Sequence, residues 1–442
     1  MMSAPSALRS LPAALVVGCL FVVVPAASAE PWASVPITSS EGAVGPANVT
    51  FDRNGTGIAY WEGILQAGSP QKFTGQAVRN PATGSWARLP NIAGITWGSA
   101  QIALYSTSRT LLISRQTSSL GRFNRARFRL VYAFGHTGQS FGALRTLASD
   151  VADVVSSTNP SGDTLAAWRN VVNGRTYVAE RPAGKGFGKP QALAAQPGAV
   201  AISPRGDRVI AWWARDGVYA RIRRAGHGWG SAIRAAAAKQ TTNAQVRLAF
   251  TPSGRIVLAW QAIDIAEGKP TVYEAGAAIR DRSGGWKSFL LEHATSTAQN
   301  GQAGTPALPV VDSTGNAYVA WTGVAQGVTA VKIVRVDSTG AHNQALLSQG
   351  VPGAALDALA AGTAGALAVT WSAPSTPAGS SVTYASLRRG STFAPADRLT
   401  PPGVTGIGFS RVAFEPLSGH AVVTWGYLSG THGAIRVSTS EP

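Results

Sequence analysis

Apolar residues in this chain come in short runs, many alternating with polar ones, and clusters of Gly, Pro, Ser, Asp and Asn separate the runs. That is the period-two signature of β-strands joined by tight turns, and helix-period stretches and helix caps are scarce. The segment "TPSGRIVLAW" (Thr251 to Trp260) shows the unit: a turn cluster with a glycine, then an apolar strand ending in tryptophan. The same wording returns as "NPSGDTLAAW", "SPRGDRVIAW", "DSTGNAYVAW" and "PLSGHAVVTW". Trp61, Trp168, Trp212, Trp260, Trp321, Trp371 and Trp425 follow Gly55, Gly162, Gly206, Gly254, Gly315, Gly365 and Gly419 at one constant spacing. The gap between Trp61 and Trp168 holds one further, degenerate copy, "LYSTSRTLLIS", with Ser108 in the glycine slot and Ser114 in the tryptophan slot. That makes eight copies, roughly 45 to 60 residues apart, a period that belongs to propellers and repeat arrays.

Each copy reads as four strands. An apolar strand such as "VRLAF" precedes the turn, where glycine supplies a positive φ at little steric cost. The tryptophan strand follows, then an alternating strand such as "VYARIRR" or "VTYASLRR". A second turn leads to another aromatic and a fourth strand: Trp86, Phe141, Phe187, Trp229, Trp286 and Phe393 hold that slot. The sixth copy has the weaker "GAHNQALLS" instead, and the eighth stops after its third strand. "PWASVPITSS" (Pro31 to Ser40) supplies the missing piece, with Trp32 in the aromatic slot. The expected fold is an all-β, closed propeller of about eight four-stranded antiparallel blades. Its last blade is completed by the N-terminal strand, which removes exposed sheet edges. Seven blades plus an irregular second segment is the alternative. The tryptophans are assigned to packing between blades. Each buried indole removes ~150–250 Å² of surface, a gross ~4–6 kcal/mol at ~25 cal/mol per Å² before entropy is counted.

The first 29 residues read as a signal peptide: Arg9, an apolar run from Leu11 to Val24, and a small-residue cleavage site at Ala27-Ser28-Ala29. Residues 30–442 are then a single propeller domain, expected outside the cell or on the exterior of its envelope, without a membrane span and monomeric. The one cysteine, Cys19, sits in "VVGC", a loose lipoprotein box, but "LFVVV" continues the apolar core after it, so lipidation is the lesser alternative. Removal of the leader leaves no thiol for disulfides, metal binding or nucleophilic catalysis.

The blade pattern, from Pro31 to Pro442, resembles the loosely related secreted β-propeller proteins of bacteria, whose blades carry "DxxGxxxxxW"-like turns. The resemblance implies a fold and no single function, because that class includes enzymes, lectins and scaffolds. Sialidase blades carry S-x-D-x-G-x-x-W and number six. The glycine–tryptophan spacing differs here and most copies lack the aspartate, so no sialidase residue is carried over.

The formal net charge is +17, with charged residues only 13% of the chain. A sparsely charged basic surface favours anionic partners such as acidic polysaccharides, wall polymers, nucleic acid or lipid headgroups; a general compositional preference for arginine is the other source. The six histidines are scattered and no metal-ligand spacing occurs, so no metal or cofactor is expected. Asp52-Arg53-Asn54-Gly55 reads as a turn rather than a calcium loop. Neither a G-x-S-x-G elbow nor a P-loop is present. Glu62, Asp216, Asp264 and Glu267 follow tryptophan strands as solvated loop acids.

Two features remain. "GRFNRARFRLVYAF" spaces Arg125, Arg127 and Arg129 by two, hence on one strand face, where guanidinium forks suit anionic groups; an outer strand whose charges discourage edge pairing is the plainer reading. Trp213 follows the packing Trp212 and must face the other side of its strand, either at a loop mouth or in a second packing layer. Glu62, Arg169 and Gln261 occupy the same post-tryptophan slot, and ring closure would gather these residues around a shared pocket. The favoured function is an extracellular, non-catalytic binding module for an anionic or carbohydrate surface polymer. The alternatives are a protein-interaction scaffold, or a glycoside hydrolase or polysaccharide lyase using loop carboxylates.

Overall fold

The computed structural model describes residues 32–38, 45, 47–65, 71–93, 101–105, 109–120, 126–137, 139–238, 241, 243–265, 269–282, 284–296, 306–375, 380–429 and 432–440. The leader with Cys19, and Arg125, Ser108 and Glu267, lie outside the described residues.

Eight antiparallel four-stranded blades form a β-propeller. Blade 1 runs from Asn48–Phe51 to Trp86–Ala93, and blade 2 from Gln101–Tyr105 to Arg145–Ser149. Blade 2 is a complete blade despite its lost tryptophan, which decides for eight over seven. Blades 3, 4, 5 and 6 begin at Val151–Thr158, Ala199–Ile202, Asn243–Phe250 and Leu308–Val311. Blade 7 begins at Ala355–Ala361, and its fourth strand is broken into Thr392–Phe393 and Asp397–Arg398. Blade 8 contributes Arg411–Phe414, Ala421–Ser429 and His432–Ser440, and Trp32–Pro36 pairs with the last of these as its fourth strand. The first strands of successive blades touch one another in an unbroken cycle from blade 1 through blade 8 and back to blade 1. They form the wall of an axial channel.

The repeat explains this geometry. All seven repeat glycines have φ between 72° and 93°, a region that other residues enter only at a steric cost. The turn's side chains cap it: Asp52 Oδ1 accepts the amides of Asn54 (2.9 Å) and Thr56 (3.0 Å), so this acid serves a turn. Each tryptophan faces the preceding blade. Trp260 packs with Val209 and Ala211 of blade 4, Trp321 with Val257 and Ala277 of blade 5, and Trp61 with Ile435 of blade 8. Six of the seven are at most 2% exposed, and Trp212 is the outlier at 7%.

The residue opposite each tryptophan on the third strand adapts to the ring. Tyr177, Tyr219 and Tyr384 stack on Trp168, Trp212 and Trp371. Gly276 lies under Trp260, where a Cβ would come within 2.0 Å of the indole. In blade 2, Val131 stands opposite Ser114, so a branched side chain occupies the slot where no tryptophan needs the room. Because strands alternate in direction, the first-to-second and third-to-fourth turns lie at one end of the propeller. The second-to-third loops and the crossings to the next blade lie at the other, the loop end. Among the described residues no helix is long and apolar enough to cross a membrane.

Candidate functional site

A cavity of about 510 Å³ opens at the loop end between blades 3, 4 and 5. Blade 3 contributes Asp153 and Arg169, the crossing to blade 4 contributes Gln196 to Gly198, blade 4 Trp212 and Trp213, and blade 5 Gln245 and Arg247. Gly198 allows the close approach beneath it: a Cβ there would lie 2.6 Å from the Ala211 carbonyl oxygen. The opening of the cavity beside Trp212 accounts for its incomplete burial.

Asp153 sits where the first strand of blade 3 slips register between Ala152 and Val155, and its φ is +50°. Aspartate tolerates this left-handed conformation better than most residues, and such local strain concentrates at functional sites. Its carboxylate accepts a 2.6 Å hydrogen bond from Arg169 Nε, and both side chains remain almost half exposed. That pair is electrically neutral. Arg247 is different. It donates to the Val246 carbonyl oxygen at 3.0 Å and has no carboxylate partner among the described residues. Burial, and then repulsion from Arg411, lower its guanidinium below the ordinary arginine value.

Arg247 and Arg411 are equivalents. Each lies on the first strand of its blade, opposite the residue just before the tryptophan: Arg247 opposite Ala259, Arg411 opposite Thr424. The channel wall of blades 5 and 8 therefore carries two guanidinium groups at one level. Arg411 donates to the carbonyl oxygens of Asp357 (3.1 Å) and Ser410 (2.9 Å). The Asp357 carboxyl is buried and accepts Ser372 Oγ (2.5 Å), Ser410 Oγ (2.8 Å) and the Ser410 amide (3.1 Å). Burial pushes its pKa above the usual carboxylate range despite those donors and the nearby Arg411 charge.

The post-tryptophan residues divide. Trp213 and Arg169 meet in the cavity. Trp213 is 5% exposed and packs against Val246, Leu258 and Trp260 of blade 5, so it belongs to the second packing layer and shows the cavity one edge. Its indole N–H has no acceptor among the described residues. Gln261 is buried and donates from Nε2 to the Thr322 carbonyl oxygen at 2.7 Å, fastening blade 5 to blade 6. Glu62 is buried in blade 1, and neither it nor Gln261 lines the cavity. Asp216 and Asp264 are exposed and also lie outside it.

The arginine row lies on the third strand of blade 2. Arg127 is exposed, 3.8 Å from Asp150 Oδ1, and Arg129 Nε donates to Gln116 Oε1 at 2.8 Å. Arg115 covers the Phe128 ring at 4.4 Å. No group of three or more metal-ligating side chains occurs among the described residues.

Sequence reasoning missed Arg247, Asp153, Gln196 and Gln245. A signal existed for Arg247: it interrupts the apolar first strand "VRLAF", and Arg411 heads the matching strand "RVAF".

No protein-family model matches the sequence, and no curated protein matches it. Solved structures with similar layouts include the polysaccharide lyase Uly1, at 11% identity and TM-score 0.46, covering 92% of this chain and 93% of that one. Virginiamycin B lyase from Staphylococcus aureus is 9% identical with TM-score 0.41, covering 93% and 99%. NanB sialidase from Streptococcus pneumoniae is 8% identical with TM-score 0.40, covering 92% and 70%. At these identities no residue assignment transfers to this chain.

Proposed function

We propose that this propeller is an extracellular, non-catalytic binding module for an anionic surface polymer, gripped at the loop-end cavity. The carrying observation is Arg247, a partly buried cation without a carboxylate partner among the described residues, lining the cavity together with Trp213. A carboxylate or sulfate group on a saccharide supplies what Arg247 lacks, a counter-charge for the guanidinium. Gln196 and Gln245 add amides that hydrogen-bond sugar hydroxyls in either sense. The cavity's volume falls within the roughly 300–1,000 Å³ of small-ligand sites. Glycosidic cleavage uses two facing carboxylates. Among the described residues Asp153 is the one carboxylate lining this cavity, and Arg169 already engages it, which favours holding a ligand over cutting it.

The test is an array of acidic polymers and neutral glycans probed with the purified chain at low and high salt. The expected hit is acidic, weakens as salt rises and is reduced by Arg247→Gln. Binding confined to neutral glycans, or indifferent to Arg247, removes this reading. A blank array favours the protein-interaction scaffold.

A further inference from the structure

A second cavity, of about 1000 Å³, runs along the outer wall between blades 6 and 7, far from the channel mouth in the strand order. Its existence follows from two irregular strands. In blade 7 the fourth strand breaks between Phe393 and Asp397, where Pro395 offers no N–H to the ladder. In blade 6 the fourth strand slips register opposite Val334, and Asn343 takes a left-handed φ of +57° at that slip. The sixth copy also lacks the fourth-strand aromatic of its neighbours.

The lining has a consistent chemistry. Arg388 lies over the Tyr318 ring at 4.6 Å, with Nη2 donating to the tyrosine hydroxyl (2.8 Å) and Nε to the Gly390 carbonyl oxygen (3.0 Å). Those contacts fix the guanidinium plane, and no carboxylate pairs with it among the described residues. Arg335 stands across the cleft, 3.5 Å from Asp337 Oδ2, while Asp337 Oδ1 accepts from Thr339. The Arg335 Nε–H has no acceptor among the described residues. Among the described residues no aspartate or glutamate lines the cleft. Asn343 and Gln349 bring exposed carboxamides, and Phe393 a half-buried ring.

We propose that this cleft is a second binding site, for a saccharide chain bearing carboxylate or sulfate groups. Arg388, held as a pre-oriented fork, supplies the counter-charge, while Arg335 is already paired with Asp337. The carboxamides suit ring hydroxyls, which donate and accept, and Phe393 offers an apolar face to a sugar ring. The volume reaches the upper limit of roughly 300–1,000 Å³ for small-ligand sites, which suits several linked rings over one. The inference rests on the acidic-polymer reading but on a separate set of residues. A polymer long enough to engage cleft and channel mouth together gains avidity without new contacts.

The experiment is calorimetric titration of the purified full chain in an Arg247→Gln background, which weakens the loop-end cavity relative to the cleft. The probes are tetragalacturonate for carboxylate, a carrageenan tetrasaccharide for sulfate, and neutral cellotetraose. Saturable binding of an acidic probe, weakened about tenfold by Arg388→Gln as for loss of a charged hydrogen bond, supports the site, and the preferred probe names the anionic group. Gln349→Ala, an exposed change that leaves the fold alone, should weaken the same probe severalfold and covers the case where Arg388→Gln unfolds blade 7. Acidic binding unaffected by both changes, or cellotetraose binding equally well, overturns the cleft and leaves the channel mouth standing. If neither acidic probe binds in this background or in the parent chain, the cleft and the acidic-polymer reading fall together.

Discussion

Blade 2 and blade 5 share one four-stranded plan and place arginine in opposite circumstances. Blade 2 has a row of arginines, and four of those described are occupied locally: Arg115 by the Phe128 ring, Arg129 by Gln116, Arg127 by Asp150, Arg145 by the Phe134 ring at 5.9 Å. Blade 5 has Arg247 alone on its first strand, with a backbone carbonyl as partner and a cavity beside it. The dense run of arginines is largely satisfied where it stands, whereas the isolated charge in an apolar strand is the one we propose as a site. The blades differ in packing too. Blade 5 anchors on Trp260, 2% exposed, and blade 2 has the small, buried Ser114 in the same slot.

The largest effect should come from the packing difference. Trp260→Ala should cost about 3–5 kcal/mol, against about 1 kcal/mol for Ser114→Ala, whose loss is a buried hydroxyl. Urea midpoints decide, and equal losses would break the contrast. Next is Gly276→Ala. Its new Cβ meets the Trp260 ring, so overpacking of about 1–3 kcal/mol is expected. Val131 fills the equivalent slot in blade 2, so the cost of Gly276→Val should be smaller in a Trp260→Ser background than in the parent chain.

Much of this was legible in the chain because it repeats. A turn glycine and an interlayer tryptophan recur wherever a blade needs them, and Trp32 recurs where the ring closes. The site is what breaks the repeat. The slot after the tryptophan led to Arg169 and Trp213, since strand alternation turns both to the side opposite the preceding tryptophan. It led equally to Glu62 and Gln261, because alternation gives a side and not a neighbour; Gln261 spends its amide on the Thr322 carbonyl of the next blade. Asp153 was invisible for another reason: its position depends on a register slip with a left-handed residue, which no periodicity encodes.

The binding contrast is smaller in energy. Arg247→Gln should weaken acidic-polymer binding about tenfold, the loss of one charge-assisted contact. Joint replacement of Arg127 and Arg129 by glutamine should change it less than about threefold, because exposed and locally satisfied charges contribute little. Titrations at two salt concentrations read both, and the reverse order would return the site to blade 2.

The smallest effect sharpens the comparison inside the channel, where Arg411 matches Arg247 in register yet has the Asp357 carboxyl at hand. Burial raises the Asp357 pKa in the folded state, so between its unfolded and folded values the native protein holds a proton that the unfolded chain has released. Its stabilising contribution is then complete below the unfolded value and fades as pH rises through the folded one. Asp357→Asn, uncharged throughout, should flatten that part of the stability-against-pH profile, with Ser372 and Ser410 still able to donate to the amide oxygen. The same proton affects anion binding. Protonated Asp357 offers Arg411 no counter-charge, so acidic-probe affinity at the channel should rise modestly on acidification through the folded pKa, and Asp357→Asn should hold it at the low-pH level. An affinity that ignores both pH and Asp357→Asn would mean that Arg247 acts alone, and that the pairing of blades 5 and 8 is one of register without shared charge.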